Sequence, residues 1–135
     1  MRLILKKNGF TVLEAVVAVA IISFVLVSTI SILINVQNQN RALELQISAT
    51  SFGESLRDEI QATLTVTSAP SGLVNLSSIT SLNQYSSHPF YEKTTVSFVV
   101  DNTTYSWISI MYFTVEIEYL TNRYVKIEGV LYELK

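Results

Sequence analysis

Cysteine is absent from the 135 residues, proline occurs twice, glycine four times and histidine once. Without cysteine there can be no disulfide, thiolate metal ligand or thiol nucleophile. His88 is the lone histidine, which excludes a multi-histidine metal centre. The glycines are scattered, so no phosphate-cradling loop exists. Basic residues are scarce once the first few have passed. Arg2, Lys6 and Lys7 precede Gly9, and the remaining six Lys or Arg face eleven Asp or Glu downstream. That balance argues against nucleic-acid binding, which needs a concentrated basic surface.

Uncharged apolar residues are what the chain has in quantity. Ala15 to Ile34 is a run of twenty residues with no Asp, Glu, Lys, Arg, Asn, Gln, Gly or Pro. As a helix it would extend about 30 Å, the thickness of a bilayer core. The flanking charges predict a cytoplasmic amino end and an acidic bulk across the membrane. A removable secretory signal would have a shorter apolar stretch and an AxA-like site after it. Here Asn35-Val36-Gln37-Asn38-Gln39-Asn40-Arg41 follows instead. At the head of the run stands one carboxylate, Glu14. A charge entering hydrocarbon is costly unless it has a partner or a task. A plain single-span anchor explains the basic flank and the apolar run but not Glu14, nor Gly9 just ahead of Phe10.

Past the membrane-length segment, Leu45, Ala49, Phe52, Leu56, Ile60 and Leu64 recur at helical spacing on one face, with Arg41, Glu44, Glu54, Arg57, Asp58 and Gln61 opposite. No proline interrupts Phe10 to Ala69, so the pattern predicts one helix from membrane into aqueous domain. Gly53 and the Asn-Gln stretch 35–40 are its expected bending points. Ser68-Ala69-Pro70-Ser71-Gly72 ends it. Residues 71–92 read as an irregular connection with a short strand around Leu73 to Leu76. From Thr94 the period is two. Val96, Phe98 and Val100 alternate, as do Val115, Ile117 and Tyr119 against Glu116 and Glu118. Leu120-Thr121-Asn122 turns the chain, and Gly129 offers a bulge or break in the last strand. The predicted fold is α+β, a long helix packed on a small antiparallel sheet of three or four strands. Its segments are a leader (1–9), an apolar helix (10–34), an amphipathic helix (35–67), a connecting region (68–93) and the sheet (94–135).

The run Lys6-Lys7-Asn8-Gly9-Phe10-Thr11-Val12-Leu13-Glu14 resembles the processing site of bacterial type IV pilins and of type II secretion or competence pseudopilins. In that family a basic leader ends in glycine, a hydrophobic residue opens the mature chain and glutamate stands fifth in it, as Glu14 does counted from Phe10. The resemblance is specific from Lys6 to about Ile34 and is architectural beyond. It implies that prepilin peptidase cuts between Gly9 and Phe10 and methylates the Phe10 amine, with Arg2, Lys6 and Lys7 as leader basic residues. Glu14 would pair with the Phe10 amine of a neighbouring subunit. The implied partners are that peptidase, other pilins or pseudopilins in a helical filament and, indirectly, an assembly platform protein and ATPase. Membrane lipid surrounds the apolar helix before assembly. The implied location is single-pass in the inner or cytoplasmic membrane, then a periplasmic or cell-surface filament. Adhesion, motility, protein secretion or DNA uptake would be served without catalysis. Ser23 and Ser31 stand in regions where many major pilins carry glycine and proline, and the cysteine pair common in diderm major pilins is missing. These departures favour a minor pilin or pseudopilin. The alternative is a membrane-anchored extracytoplasmic binding domain that does not polymerise.

No cofactor, metal or catalytic residue is expected. His88 beside Pro89 reads as a loop histidine, and nothing resembles an ordered triad. Asp58-Glu59 and Glu116/Glu118 read as solvated faces, with Lys126 a cross-strand partner for the latter pair. Tyr85, Phe90, Tyr91, Tyr105, Trp107, Tyr112, Phe113, Tyr119, Tyr124 and Tyr132 are expected mostly in the sheet core, with some available as a contact patch for another pilin or a surface ligand. Ser77 to Tyr91 is the favoured segment for partner specificity. Ala42 and Ala49 offer a minority reading as contacts to a filament neighbour. Asn75-Leu76-Ser77 and Asn102-Thr103-Thr104 match a glycosylation sequon of little weight in a bacterial chain.

Overall fold

The computed structural model describes residues 11–101 and 106–134. In order these form α1 (Val12–Thr63), β1 (Gly72–Asn75), three single-turn to two-turn 3-10 segments (Leu76–Ser78, Thr80–Tyr85 and Tyr91–Lys93), β2 (Thr94–Val100), β3 (Ile108–Leu120) and β4 (Arg123–Leu134). The chain divides into two compact units between Asn40 and Arg41. The fold is α+β, with one long helix packed against a four-stranded antiparallel sheet in the order β1-β2-β3-β4.

In the first unit the described residues are helical from Val12 onward, and their side chains are exposed apart from partly covered Ala18. Helix formation here does not rest on packing. Ser23, Ser28, Thr29 and Ser31 donate their hydroxyls to the carbonyls of Val19, Phe24, Val25 and Val27 at 2.8, 2.9, 2.8 and 3.0 Å. Each hydroxyl proton is therefore satisfied within the helix, as a segment surrounded by hydrocarbon requires.

In the second unit α1 presents Ala49, Phe52, Leu56 and Ile60 to the core, all buried. The predicted stripe is the packed one, and buried Ala49 is taken up by the chain's own core, which overturns its reading as a neighbour contact. The sheet answers with Val96 and Phe98 of β2, Met111, Phe113, Val115 and Ile117 of β3, and Leu131 of β4. The strict alternation of strand side chains places all seven on one face. The third wall differs from expectation. Residues 76–93 are not an irregular loop; their 3-10 turns drive Leu76, Ile79, Leu82, Phe90 and Tyr91 into the core. Tyr91 Oη donates to Asn83 Oδ1 at 3.0 Å and buried Thr94 Oγ1 to the Phe90 carbonyl at 2.6 Å, which ties the segment down.

Helix α1 ends at Thr63, short of residue 67. Thr65 N–H donates to Ser68 Oγ at 2.9 Å and Ser68 N–H to Thr65 Oγ1 at 3.2 Å, so hydroxyls replace the next helical turn. Gly72, at φ +84, then starts β1 in a conformation that suits only glycine. Asn122 adopts φ 60 at the β3–β4 turn, and its N–H donates to Glu118 Oε1 at 3.1 Å.

Two glycines mark close approaches rather than breaks. The helix runs unbroken through Gly53, where a Cβ would stand 2.5 Å from Ile127 Cδ1 and 2.9 Å from Ile117 Cδ1. The helix also continues through 35–40. Gly129 makes no bulge: it pairs in register with Phe113, and the irregularity lies instead between Glu118 and Leu120. A Cβ on Gly129 would lie 2.5 Å from Phe113 Cε1, so the missing side chain seats that ring. Gly129→Ala should lower unfolding free energy by about 1–3 kcal/mol, the usual cost of overpacking. Gly53→Ala should cost less, because methyl ends can swing aside and alanine gains about 1 kcal/mol of helix propensity. Urea denaturation of both variants checks the order.

Candidate functional site

Gly9, Phe10, Arg2, Lys6 and Lys7 lie outside the described residues, as do Tyr105 and the second sequon. Glu14 is described. It stands in the first turn of α1, three residues after Thr11, which precedes the first helical residue. Thr11 N–H and Thr11 Oγ1 both donate to Glu14 Oε2, at 3.0 and 3.1 Å. Glu14 N–H donates in return to Thr11 Oγ1 at 3.3 Å. This is a reciprocal capping box, with Thr11 as cap and Glu14 as third helical residue. A carboxylate here also meets the positive end of the helix dipole. The signal for this box is the spacing Thr-x-x-Glu ahead of an apolar run, which the sequence reading missed, and it supplies an intrachain reason for Glu14 that a bare anchor lacked.

Behind Glu14 the surface is apolar on every side. Val16, Val19, Ile22, Phe24, Val27, Ile30 and Leu33 are each more than half exposed, and nothing in the most apolar window is buried within the chain. The helix is long and apolar enough to cross a membrane. Its length and composition fit a membrane or signal segment.

Elsewhere the described groups singled out in the sequence have local partners. His88 is not a free loop side chain. Its ring stacks on the core ring of Phe52 at 3.8 Å with 1° between planes, beside Phe90 at 5.6 Å. Its Nδ1 accepts a long bond, 3.4 Å, from Phe90 N–H, available only while that nitrogen carries no proton. Desolvation lowers the His88 pKa from its ordinary 6.5. Lys126 Nζ reaches Glu116 Oε2 at 3.1 Å across the β3–β4 ladder, the expected cross-strand pair, while Glu118 serves the turn. Among the described residues no three acidic, histidine or cysteine groups cluster to hold a metal ion.

The described aromatics divide between the core and the surface. Phe90, Tyr91 and Phe113 are buried and Tyr85 and Tyr119 partly so, but Trp107, Tyr112, Tyr124 and Tyr132 are exposed. Tyr112, Tyr124 and Tyr132 stand at even positions of β3 and β4, which alternation turns outward from the core. No family model matches the chain, and no curated protein or solved structure matches it.

Taken together, the molecule is a helix-plus-small-sheet domain with one apolar amino-terminal helix, consistent with a membrane-associated structural module. One pH effect follows from His88. A histidine whose folded pKa is lowered leaves stability unchanged above its ordinary value and removes it as pH falls through the folded value, because the unfolded chain binds the proton better. Urea unfolding should therefore show lower stability at pH 5 than at pH 7.5, and His88→Gln should shrink that difference.

Proposed function

We propose that this chain is a structural subunit of a type IV pilus-like filament, a minor pilin or pseudopilin. In this reading prepilin peptidase cuts it after Gly9 and methylates it at Phe10. The observation that carries the reading is a membrane-length helix, unburied within its own chain, headed by a carboxylate five residues after the Gly9–Phe10 junction. Such a surface needs hydrocarbon before assembly and other apolar helices after it. Moving from lipid to a filament core exchanges one apolar partner for another, so the gain comes from packing and polar pairs rather than from leaving water.

The Phe10 amine, positive after cleavage, supplies the polar pair for Glu14 of a neighbour. The capping box does not compete with this role. A carboxylate has about four acceptor positions, and Thr11 uses one oxygen. Thr11 instead fixes the carboxylate at the helix head, where a neighbour's amine can meet it. In low dielectric, loss of either partner leaves the other charge uncompensated. The domain from Arg41 onward forms the outer layer, and no step in this role requires catalysis. The exposed Tyr112, Tyr124 and Tyr132 favour a second reading, an anchored domain that binds a partner without polymerising, since tyrosine suits interfaces.

Two measurements test the proposal. Protein from native membranes should give an amino-terminal peptide starting at Phe10 and heavier by one methyl, about 14 Da. An uncut chain in cells with active prepilin peptidase would overturn the reading. Glu14→Gln then separates the two roles of the carboxylate, because glutamine also completes a capping box but carries no charge. Membrane insertion should persist in this variant while filament incorporation falls at least about tenfold, the scale of one lost ion pair. Normal incorporation of Glu14→Gln would reduce Glu14 to a helix cap.

A further inference from the structure

Strand β4 closes the sheet on one side only. It pairs with β3 over Arg123–Leu134 and is the outer member of the order β1-β2-β3-β4. Such an edge offers a row of backbone donors and acceptors to another strand. The Val130 carbonyl accepts from Gln61 Nε2 at 3.2 Å, which marks Val130 as turned away from β3. By alternation Tyr124, Lys126, Glu128 and Tyr132 turn their N–H and C=O groups to the same free side. Their side chains share the outer face of the sheet and are exposed.

The charges on this edge select among possible partners. A second β4 laid antiparallel must match outward-turned residues with outward-turned residues. Centred on Lys126, the pairing sets lysine against lysine; centred on Glu128, glutamate against glutamate. Centred on Ile127, it sets Lys126 opposite Glu128 in both halves, and Tyr124 opposite Val130. Like charges directly opposite are destabilising and opposite charges stabilising. Lys126, already 3.1 Å from Glu116 within the chain, would then sit between two carboxylates. Gln61, on the Val130 carbonyl, and Thr67, whose N–H and Oγ1 donate to Glu133 Oε2 at 3.0 and 2.6 Å, line the far end of this edge. The pairing therefore centres on the uncovered Lys126–Glu128 stretch and has Gln61 share the Val130 oxygen, which has two lone pairs.

We infer that β4 is a homotypic docking edge: two copies of this chain join through antiparallel β4 strands in the register centred on Ile127. The geometry also says which copies can meet. Gly53 lies against Ile127 and Gln61 against Val130, so the helix from Arg41 to Thr63 advances in the same direction as β4. A two-fold axis normal to the joined sheet reverses both. The two Arg41 ends then lie at opposite ends of the joined sheet, and the pair links copies presented from opposite directions. Neighbours along one helical filament share a direction, so this contact joins separate assemblies. The contact itself rests on residues of the second unit alone; only its placement between separate assemblies rests on the filament reading.

The test is sedimentation velocity of the full chain in detergent micelles over a concentration series. The wild-type chain should show a monomer–dimer equilibrium. Lys126→Glu and Glu128→Lys should each raise the dimer Kd at least about tenfold, and the double exchange should bring it back to within about threefold of wild type. Far-ultraviolet circular dichroism keeps misfolded single variants from counting. Since the chain has no cysteine, Ile127→Cys provides a register probe: the two positions face each other as a close non-hydrogen-bonded pair and should oxidise to a covalent dimer. Leu73→Cys, on the opposite edge strand, should form no covalent dimer. A chain that is monomeric throughout, a dimer indifferent to the charge changes (association through the apolar helix alone), or a double exchange that fails to restore pairing would each overturn the inference.

Discussion

The interaction on which the structure depends is one the chain does not make with itself. Residues behind Glu14 form a helix with apolar side chains on every side, and none of its most apolar window is buried. A helix apolar all round is stable only inside something apolar. The same element, without a break between Val12 and Thr63, later offers a single stripe to a sheet. Two environments are thus written into one helix by two patterns of side chains. The serine and threonine hydroxyls fit the first environment because each already has its acceptor one turn back. The distal stripe fits the second because Gly53 lets the helix approach Ile117 and Ile127 closely.

Glu14 has an intrachain task in the capping box, and the interchain task proposed for it would fall on the same side chain. Its bonds to Thr11 satisfy backbone and hydroxyl groups that would otherwise be orphans at the helix start. Alanine at this position would remove the cap and the charge together, so its effect on assembly would mix helix fraying with a lost pair. Glutamine keeps the first and removes the second. The wider point concerns reading charges at the head of apolar runs: a carboxylate at the third helical position has a local reason to exist before any partner is invoked.

Where the fold was legible in the sequence, the reason was periodicity. Ala49, Phe52, Leu56 and Ile60 announced a packed helix face, and Val115 and Ile117 against Glu116 and Glu118 announced a two-faced strand. Glu116 and Lys126 were readable as neighbours because the turn at Leu120-Thr121-Asn122 fixes the hairpin. Residues 76–93 were not legible, since single 3-10 turns have no sustained period and their serines and asparagines look like loop. Their apolar residues are too far apart to form a stripe, yet each turn delivers one to the core. Gly129 misled for another reason. Its meaning lies in the Phe113 ring on a different strand, which only the register reveals. At the candidate site neither the cap at Thr11 nor the stacking of His88 on Phe52 was read from the sequence: the first has a spacing signal, Thr-x-x-Glu, that went unread, and the second is a contact between distant segments.

The outer face of the sheet is divided in composition. Toward the β3–β4 turn lie the charges Glu116, Glu118 and Lys126 with Tyr124 beside them, and toward the other end lie the uncharged Val99, Tyr112, Val130 and Tyr132. A uniformly polar face would read as solvated surface, and a uniformly apolar one would invite indiscriminate association. Edge strands usually avoid pairing by carrying charge, and a lone lysine would serve that end in every register. Lys126 followed two residues later by Glu128 behaves differently. The two charges oppose arbitrary strands and slipped copies, while one symmetric alignment turns the same charges into attractions. Specificity at this edge therefore arises from the registers that are excluded, which is how a short charged strand can be both soluble alone and selective for its own kind.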